Sequence, residues 1–179
     1  GKNIIQIDKL GRVAQVTLLE RQYITEDGAH IKLFEANQLR PLEVRFADAN
    51  INNEAFNVSV TASAATVDAT KDTQTLILTQ VLKDTVLTKT FTFYADGHYD
   101  LKANSTNNKQ FFITAGFRPN VLADMYADHG VIVKLLDGTL DVTVDGDSDK
   151  SKTYAGAKFL SAFDRYYTTV VYNFDKTFQ

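Results

Sequence analysis

Asp145, Asp147 and Asp149 in the run DGDSD stand at the 1-3-5 spacing with which an EF-hand loop offers carboxylate oxygens to calcium. The rest of that loop does not follow. Lys150 occupies the sixth position, where Gly makes the sharp turn, and Gly156 the twelfth, where a bidentate Glu completes the shell. The run therefore reads as a solvated acidic hairpin loop. His30, His98 and His129 are the only histidines; each lies beside a turn in a different segment, and no pair has helical metal-ligand spacing. Sugar epimerisation needs His and Glu converging on one substrate, yet Glu20, Glu26, Glu35, Glu43 and Glu54 crowd the N-terminal third outside any motif. None of the serines sits in a G-x-S-x-G elbow, the nine glycines form no phosphate cradle, and there is no Cys to act as thiolate or zinc ligand. The expectation is a protein that is not an enzyme, with no catalytic residue, no cofactor and no metal.

Aromatic mass is the other feature with chemical content. The chain has no Trp, and Phe159, Phe163, Tyr166, Tyr167, Tyr172, Phe174 and Phe178 are gathered near its end. Phe159, Leu160, Phe163, Tyr166 and Tyr167 follow i, i+1, i+4, i+7, i+8 spacing, which predicts one face of a short helix running into the strand TTVV. Phe159, Phe163 and Tyr167 then serve as core. Where part of that face stays open it becomes a docking patch, and Phe159, Phe163, Arg165, Tyr166 and Tyr167 are its contact residues.

Nineteen basic against 22 acidic residues give a net charge of −3, without a Lys/Arg-rich block, so the electrostatic footprint of a nucleic-acid binder is missing. An apolar fraction of 44% over 179 residues sustains a core without disulfides and predicts one domain over 1–179. No apolar run reaches the ~20 residues of a membrane helix. The first residue is Gly and no signal peptide precedes it, which suggests a piece excised from a longer chain.

The elements that position these residues are strands. TVLTKTFTFYADGHYDLKA (85–103) alternates strictly, with Lys89, Phe91 and Phe93 on one face and Thr88, Thr90 and Thr92 on the other, and turns at Asp96-Gly97. Hairpins are also predicted over 4–20, turning around Lys9–Gly11, and over 130–147, turning at Asp137-Gly138. Single strands are expected at 42–46, 56–61, 73–82, 110–115 and 168–174, loops at 47–55, 104–109 and 145–153, and one or two helical turns at 120–127. The pattern is all-β, a sandwich or barrel.

Two segments together resemble a known family. KTFTFYADGHYDLKANSTN (89–107) resembles the strand pair "K-x-[FY]-x-F, turn, Y-x-[LIV]-x-V, ending near Asn" of the large periplasmic domain of bacterial YidC membrane-protein insertases. GAKFLSAFDRYYTTVV (156–171) resembles the G-x-[WF]-[LV]-x-x-x-D-[RK]-Y-[FY] signature that ends the same domain, with Phe159 at the usual Trp position and Asp164-Arg165-Tyr166-Tyr167 matching its second half. IIQIDKLGRVAQVTLLE (4–20) is similar to the family's opening hairpin, with Gly11 remaining of a glycine pair. The resemblance implies a β-supersandwich similar to galactose mutarotase with a short C-terminal helical element. It implies a periplasmic domain of a multi-span inner-membrane protein that aids insertion and folding of membrane proteins, alone or with the Sec translocon. Its implied partners are Sec translocon components and nascent membrane proteins; the fragment itself does not span the membrane. Two other functions fit the same architecture: a carbohydrate-binding or aldose-epimerase-like protein, and a carrier that holds a peptide or apolar ligand in a groove or along an unpaired sheet edge.

Overall fold

The computed structural model describes residues 1–119, 121, 128–147 and 151–173. Except for Val121, the helical turns expected at 120–127 lie outside the described residues, as do Asp149 of the acidic run, Phe174 and Phe178. Among the described residues the architecture is all-β, with twelve strands and one short helix. The strands are β1 (Asn3–Ile7), β2 (Val13–Leu18), β3 (Val44–Phe46), β4 (Thr61–Ala62), β5 (Gln74–Val81), β6 (Val86–Phe93), β7 (Tyr99–Ser105), β8 (Phe111–Ile113), β9 (Gly130–Leu135), β10 (Leu140–Val144), β11 (Ala157–Phe163) and β12 (Thr168–Tyr172). The helix α1 (Ala49–Ala55) follows β3. The chain forms two compact units: 1–32 with 42–114, and 33–41 with 115–179.

In the first unit, β4-β5-β6-β7 make a four-stranded antiparallel sheet, accompanied by the pairs β1-β2 and β3-β8. Register sets its two faces. Leu78 opposes Lys89, which opposes Ala103, and Leu76 opposes Phe91, which opposes Leu101. This face is the core side, where Phe91 and Lys89 are buried. Thr75, Thr92, Thr79 and Thr88 share the opposite face, the β-branched hydroxyl side that suits a solvated sheet surface. Hairpin turns fall where the turn residues are: Gly97 and Gly138 have φ of 98° and 93°, a region that costs an L-side chain and costs Gly nothing.

The segment 47–55, expected as a loop, is the helix α1. Asp48 caps it by accepting from the Asn50 and Ile51 N–H groups at 2.9 and 3.3 Å. Its Asn-rich sequence has little intrinsic helix preference. What secures the helix is Ile51 and Ala55, one turn apart and buried against Val44, Phe46, Leu82 and Leu87. Gln80 then donates to the carbonyls of Ala55 and Val58 at 2.7 and 2.6 Å, satisfying the helix end from the neighbouring sheet. The strand expected over 56–61 does not form: residues 56–60 are turn and connecting chain, and β4 begins only at Thr61.

The second unit carries the sheet β10-β9-β11-β12. The short helix expected around Phe159–Tyr167 is absent: residues 157–163 are β11, a central strand, and the chain reverses over Asp164–Tyr167 into β12. Helical spacing arose because β11 is apolar on both faces, with Phe159 and Phe163 on one and Leu160 and Ala162 on the other. The period of two is thereby erased, and two turn tyrosines then happen to fall at i+7 and i+8.

Candidate partner-docking surfaces

Cross-strand register brings the C-terminal residues onto a single sheet face. Lys134 opposes both Leu140 and Phe159, and Phe159 opposes Tyr172; Ile132 opposes both Val142 and Ser161, and Ser161 opposes Val170. Directly opposed residues in an antiparallel pair project to the same side. This face therefore carries Leu140, Val142, Ile132, Phe159, Phe163, Val170 and Tyr172. Its edge residues are open: Leu140, Val142 and Val170 are each at least 50% exposed and Tyr172 46%. Among the sequence-derived contact residues, Phe159 and Phe163 lie half-buried on this face, with the Phe159 and Tyr172 rings 6.4 Å apart.

Arg165, Tyr166 and Tyr167 sit in the turn that ends the face. Arg165 and Tyr166 are exposed, Tyr167 is half-buried, and the Arg165 guanidinium lies 5.2 Å from the Tyr166 ring centroid. The turn is set from beneath by Asp164, which is buried. Its N–H donates to the Tyr167 carbonyl at 2.8 Å, and its carboxylate accepts from the Arg165 N–H and lies 3.2 Å from His129 Nε2. In Asp164-Arg165-Tyr166-Tyr167 the acid is thus structural, while Arg165 and Tyr166 face solvent. Asp164→Ala is expected to orphan the Arg165 N–H and lower stability by about 2 kcal/mol, measured by urea denaturation. Asp164→Asn, which retains an acceptor, is expected to lose less than half of that.

The first unit holds a second feature, a slot of about 950 Å3 roofed by β1 and by residues 60–70, with Leu76, Leu78 and Phe93 among its lining. One end of it is closed by a backbone bond from Val60 N–H to the Lys9 carbonyl at 2.8 Å. The position of that end depends on Lys89. Its ammonium donates to the carbonyls of Gly11 and Leu42 at 2.7 Å each, tying the β1–β2 turn to the middle of β6. Leu42 has a φ of 63°, a strained setting for a leucine that the Lys89 bond helps to hold. Around the amine, Arg12 bridges Asp8 at 2.8 Å and Glu43 at 2.9 Å. Burial pulls the Lys89 pKa down to about 8, with the neighbouring carboxylates of Asp8 and Glu43 opposing that fall and Arg12 adding to it.

Sequence alternation had placed Lys89 on the Phe91 side, and so it lies; nothing in the sequence marked it as a buried tie. The remaining chemistry-bearing residues are dispersed. Asp145 pairs with Arg118, His98 with Asp96 at 2.5 Å, and His30 lies in an isolated bridge with Ile24. Among the described residues no group of three His, Asp or Glu converges as a metal site, and no helix is long and apolar enough to cross a membrane.

Comparison with known proteins gives the family. The membrane protein insertase YidC of Wolinella succinogenes is 42% identical over 169 residues, covering 94% of this chain and 32% of that protein. The membrane protein insertase YidC of Campylobacter jejuni is 39% identical over 173 residues, with 96% and 33% covered, and that of Helicobacter pylori 37% identical over 196 aligned positions, with 96% and 35% covered. No family model and no solved structure matches the chain. The chain spans about a third of the length of the curated relatives it matches. Identity of this order over 94–96% of the chain places it in the YidC family of membrane protein insertases.

Proposed function

We propose that the chain is the large periplasmic domain of an inner-membrane YidC insertase, and that both compact units belong to that one domain. In this reading the whole protein inserts and helps to fold membrane proteins, and the domain is a non-catalytic module. Its partners are Sec translocon components and emerging segments of nascent membrane proteins. The observation that carries the reading is 37–42% identity to proteins named as membrane protein insertases across nearly the whole chain. The open apolar face around Phe159 and Tyr172, bordered by Arg165 and Tyr166, supports a docking role, since aromatic residues and Arg are enriched where proteins bind one another.

The test uses the full-length insertase carrying Tyr166→Ala and Val170→Glu. Both residues are exposed, so the fold is expected to survive, as circular dichroism will report. Recovery of translocon subunits in a detergent pull-down is expected to fall about tenfold, the effect of losing one central anchor. Undiminished recovery with the folded variant would remove this face from the docking role. Failure of the full-length protein to rescue cells depleted of their own insertase would remove the insertase reading itself.

A further inference from the structure

The slot in the first unit is built to match a polypeptide backbone. We propose that it takes an extended peptide, apolar at alternate positions, which adds as a strand between β1 and β4. The inference rests on the geometry of the first unit and not on the insertase reading.

The β1 wall is an unpaired sheet edge. The Leu19 N–H donates to the Lys2 carbonyl at 2.8 Å, so Lys2, and by alternation Ile4 and Gln6, direct their backbone groups toward β2. Asn3, Ile5 and Ile7 direct theirs the other way, into the slot. The facing wall is also an edge. Thr61 pairs with Thr79, and the Ser63 N–H donates to the Ile77 carbonyl at 2.9 Å, which leaves the Ala62 backbone groups turned to the slot. Among the described residues no hydrogen bond crosses between these outward-facing groups of Ile5, Ile7 and Ala62. The walls come together near the ends, at Val60–Lys9 and where the Thr70 methyl lies beside Gly1.

Two such edges and an apolar floor select for one chemistry. The outward backbone groups of Asn3, Ile5 and Ile7 on one side and of Ala62 on the other complement an extended backbone, whereas a lipid tail would leave them unsatisfied. Leu76, Leu78 and Phe93 offer contacts to the inward side chains of a strand, and the small Ala62 and Ala64 leave room for them. A volume of about 950 Å3 lies at the upper end of ordinary ligand sites, enough for a segment of several residues. Charge adds an end preference. Lys2 and Lys9 are exposed near opposite ends of the β1 wall, while Asp8 is held by Arg12 and Asp68 accepts from the Thr70 N–H. The fitting peptide therefore carries carboxylates flanking its apolar centre.

The experiment is fluorescence anisotropy of the 179-residue chain with a labelled peptide EVTVTVTE. Saturable binding is expected. Methylating the peptide nitrogens of the valines, which keeps every side chain, is expected to weaken binding by at least about tenfold. Ala62→Phe, which fills the slot from the Leu78 side of the sheet, and Ile5→Pro, which removes a slot-facing N–H without breaking the β1–β2 ladder, are each expected to weaken it similarly. Unchanged thermal melting of either variant keeps the comparison valid, and the methylated peptide reads out on unaltered protein if both misfold. No saturable binding up to about 1 mM, or equal binding by the methylated peptide, overturns the proposal. Equal binding by KVTVTVTK overturns its charge preference. A 179-residue chain that binds no peptide, while the full-length protein still rescues insertase-depleted cells, separates failure of this inference from failure of the proposed function.

Discussion

Lys89→Ala is expected to lower the unfolding free energy by about 3 kcal/mol at neutral pH, read from urea denaturation followed by circular dichroism. Two losses act together. Removing the stem opens a cavity in the floor of the sheet beside Phe91, and the carbonyls of Gly11 and Leu42 lose the donor that both share. Against them stands a gain, because a buried ammonium is costly and the variant no longer holds one. Losses of roughly 5–7 kcal/mol offset by a relief of about 3 leave the stated net value.

The same residue sets a pH dependence with a defined sign. An unfolded lysine keeps its proton to about 10.4, whereas folded Lys89 releases it at about 8. Between these values the unfolded chain binds more protons, so stability rises with pH across that window, by at most about 3 kcal/mol from this group. Tyr99 limits the rise from above. Burial raises its phenol pKa, so beyond about pH 10 the unfolded state gains by ionising and stability falls again. Lys89→Met keeps the volume and loses the titration. It is expected to match the natural protein within about 1 kcal/mol at pH 7 and to be less stable by about 2 near pH 9.5. Parallel pH profiles for the two proteins would show that no buried ammonium ties β6 to the β1–β2 turn.

Gly130→Ala carries the second large effect. Gly130 opens β9, opposite Val144 of β10 and Phe163 of β11, and a β-carbon there would lie 2.1 Å from the Thr143 carbonyl oxygen. A backbone oxygen of a neighbouring strand cannot swing aside as a side chain does. The β9–β10 ladder has to shift, at a cost of about 3 kcal/mol. For a chain of this size that corresponds to a melting temperature lower by roughly 6–12 °C. The displaced strand carries Leu140 and Val142, so the apolar face loses its β10 edge as well. A melting temperature within about 2 °C of the natural protein would show that β10 does not approach Gly130 so closely.

Much of this architecture was legible in the residues, and the reason is periodicity. A half-buried strand has one wet face, and alternation records that fact wherever it holds. The hairpins at 4–20, 85–103 and 130–147 were readable with their turns, and so was the side on which Lys89 projects. Where that asymmetry fails, the sequence misleads. β11 is apolar on both faces and imitates a helix, while α1 is an Asn-rich helix that exists because Ile51 and Ala55 find a core. The C-terminal aromatics were singled out from the residues as contact candidates, but which of them are exposed and which half-buried was not readable there. Register alone decides that Phe159 shares a face with Tyr172 and Val142, and chain reversal alone decides that Tyr166 is exposed while Asp164 is buried. The slot and the Lys89 tie belong wholly to tertiary structure. They join residues far apart in the chain, Lys89 to Gly11 and Leu42, Val60 to Lys9, and no local pattern records which carbonyl a distant amine will reach.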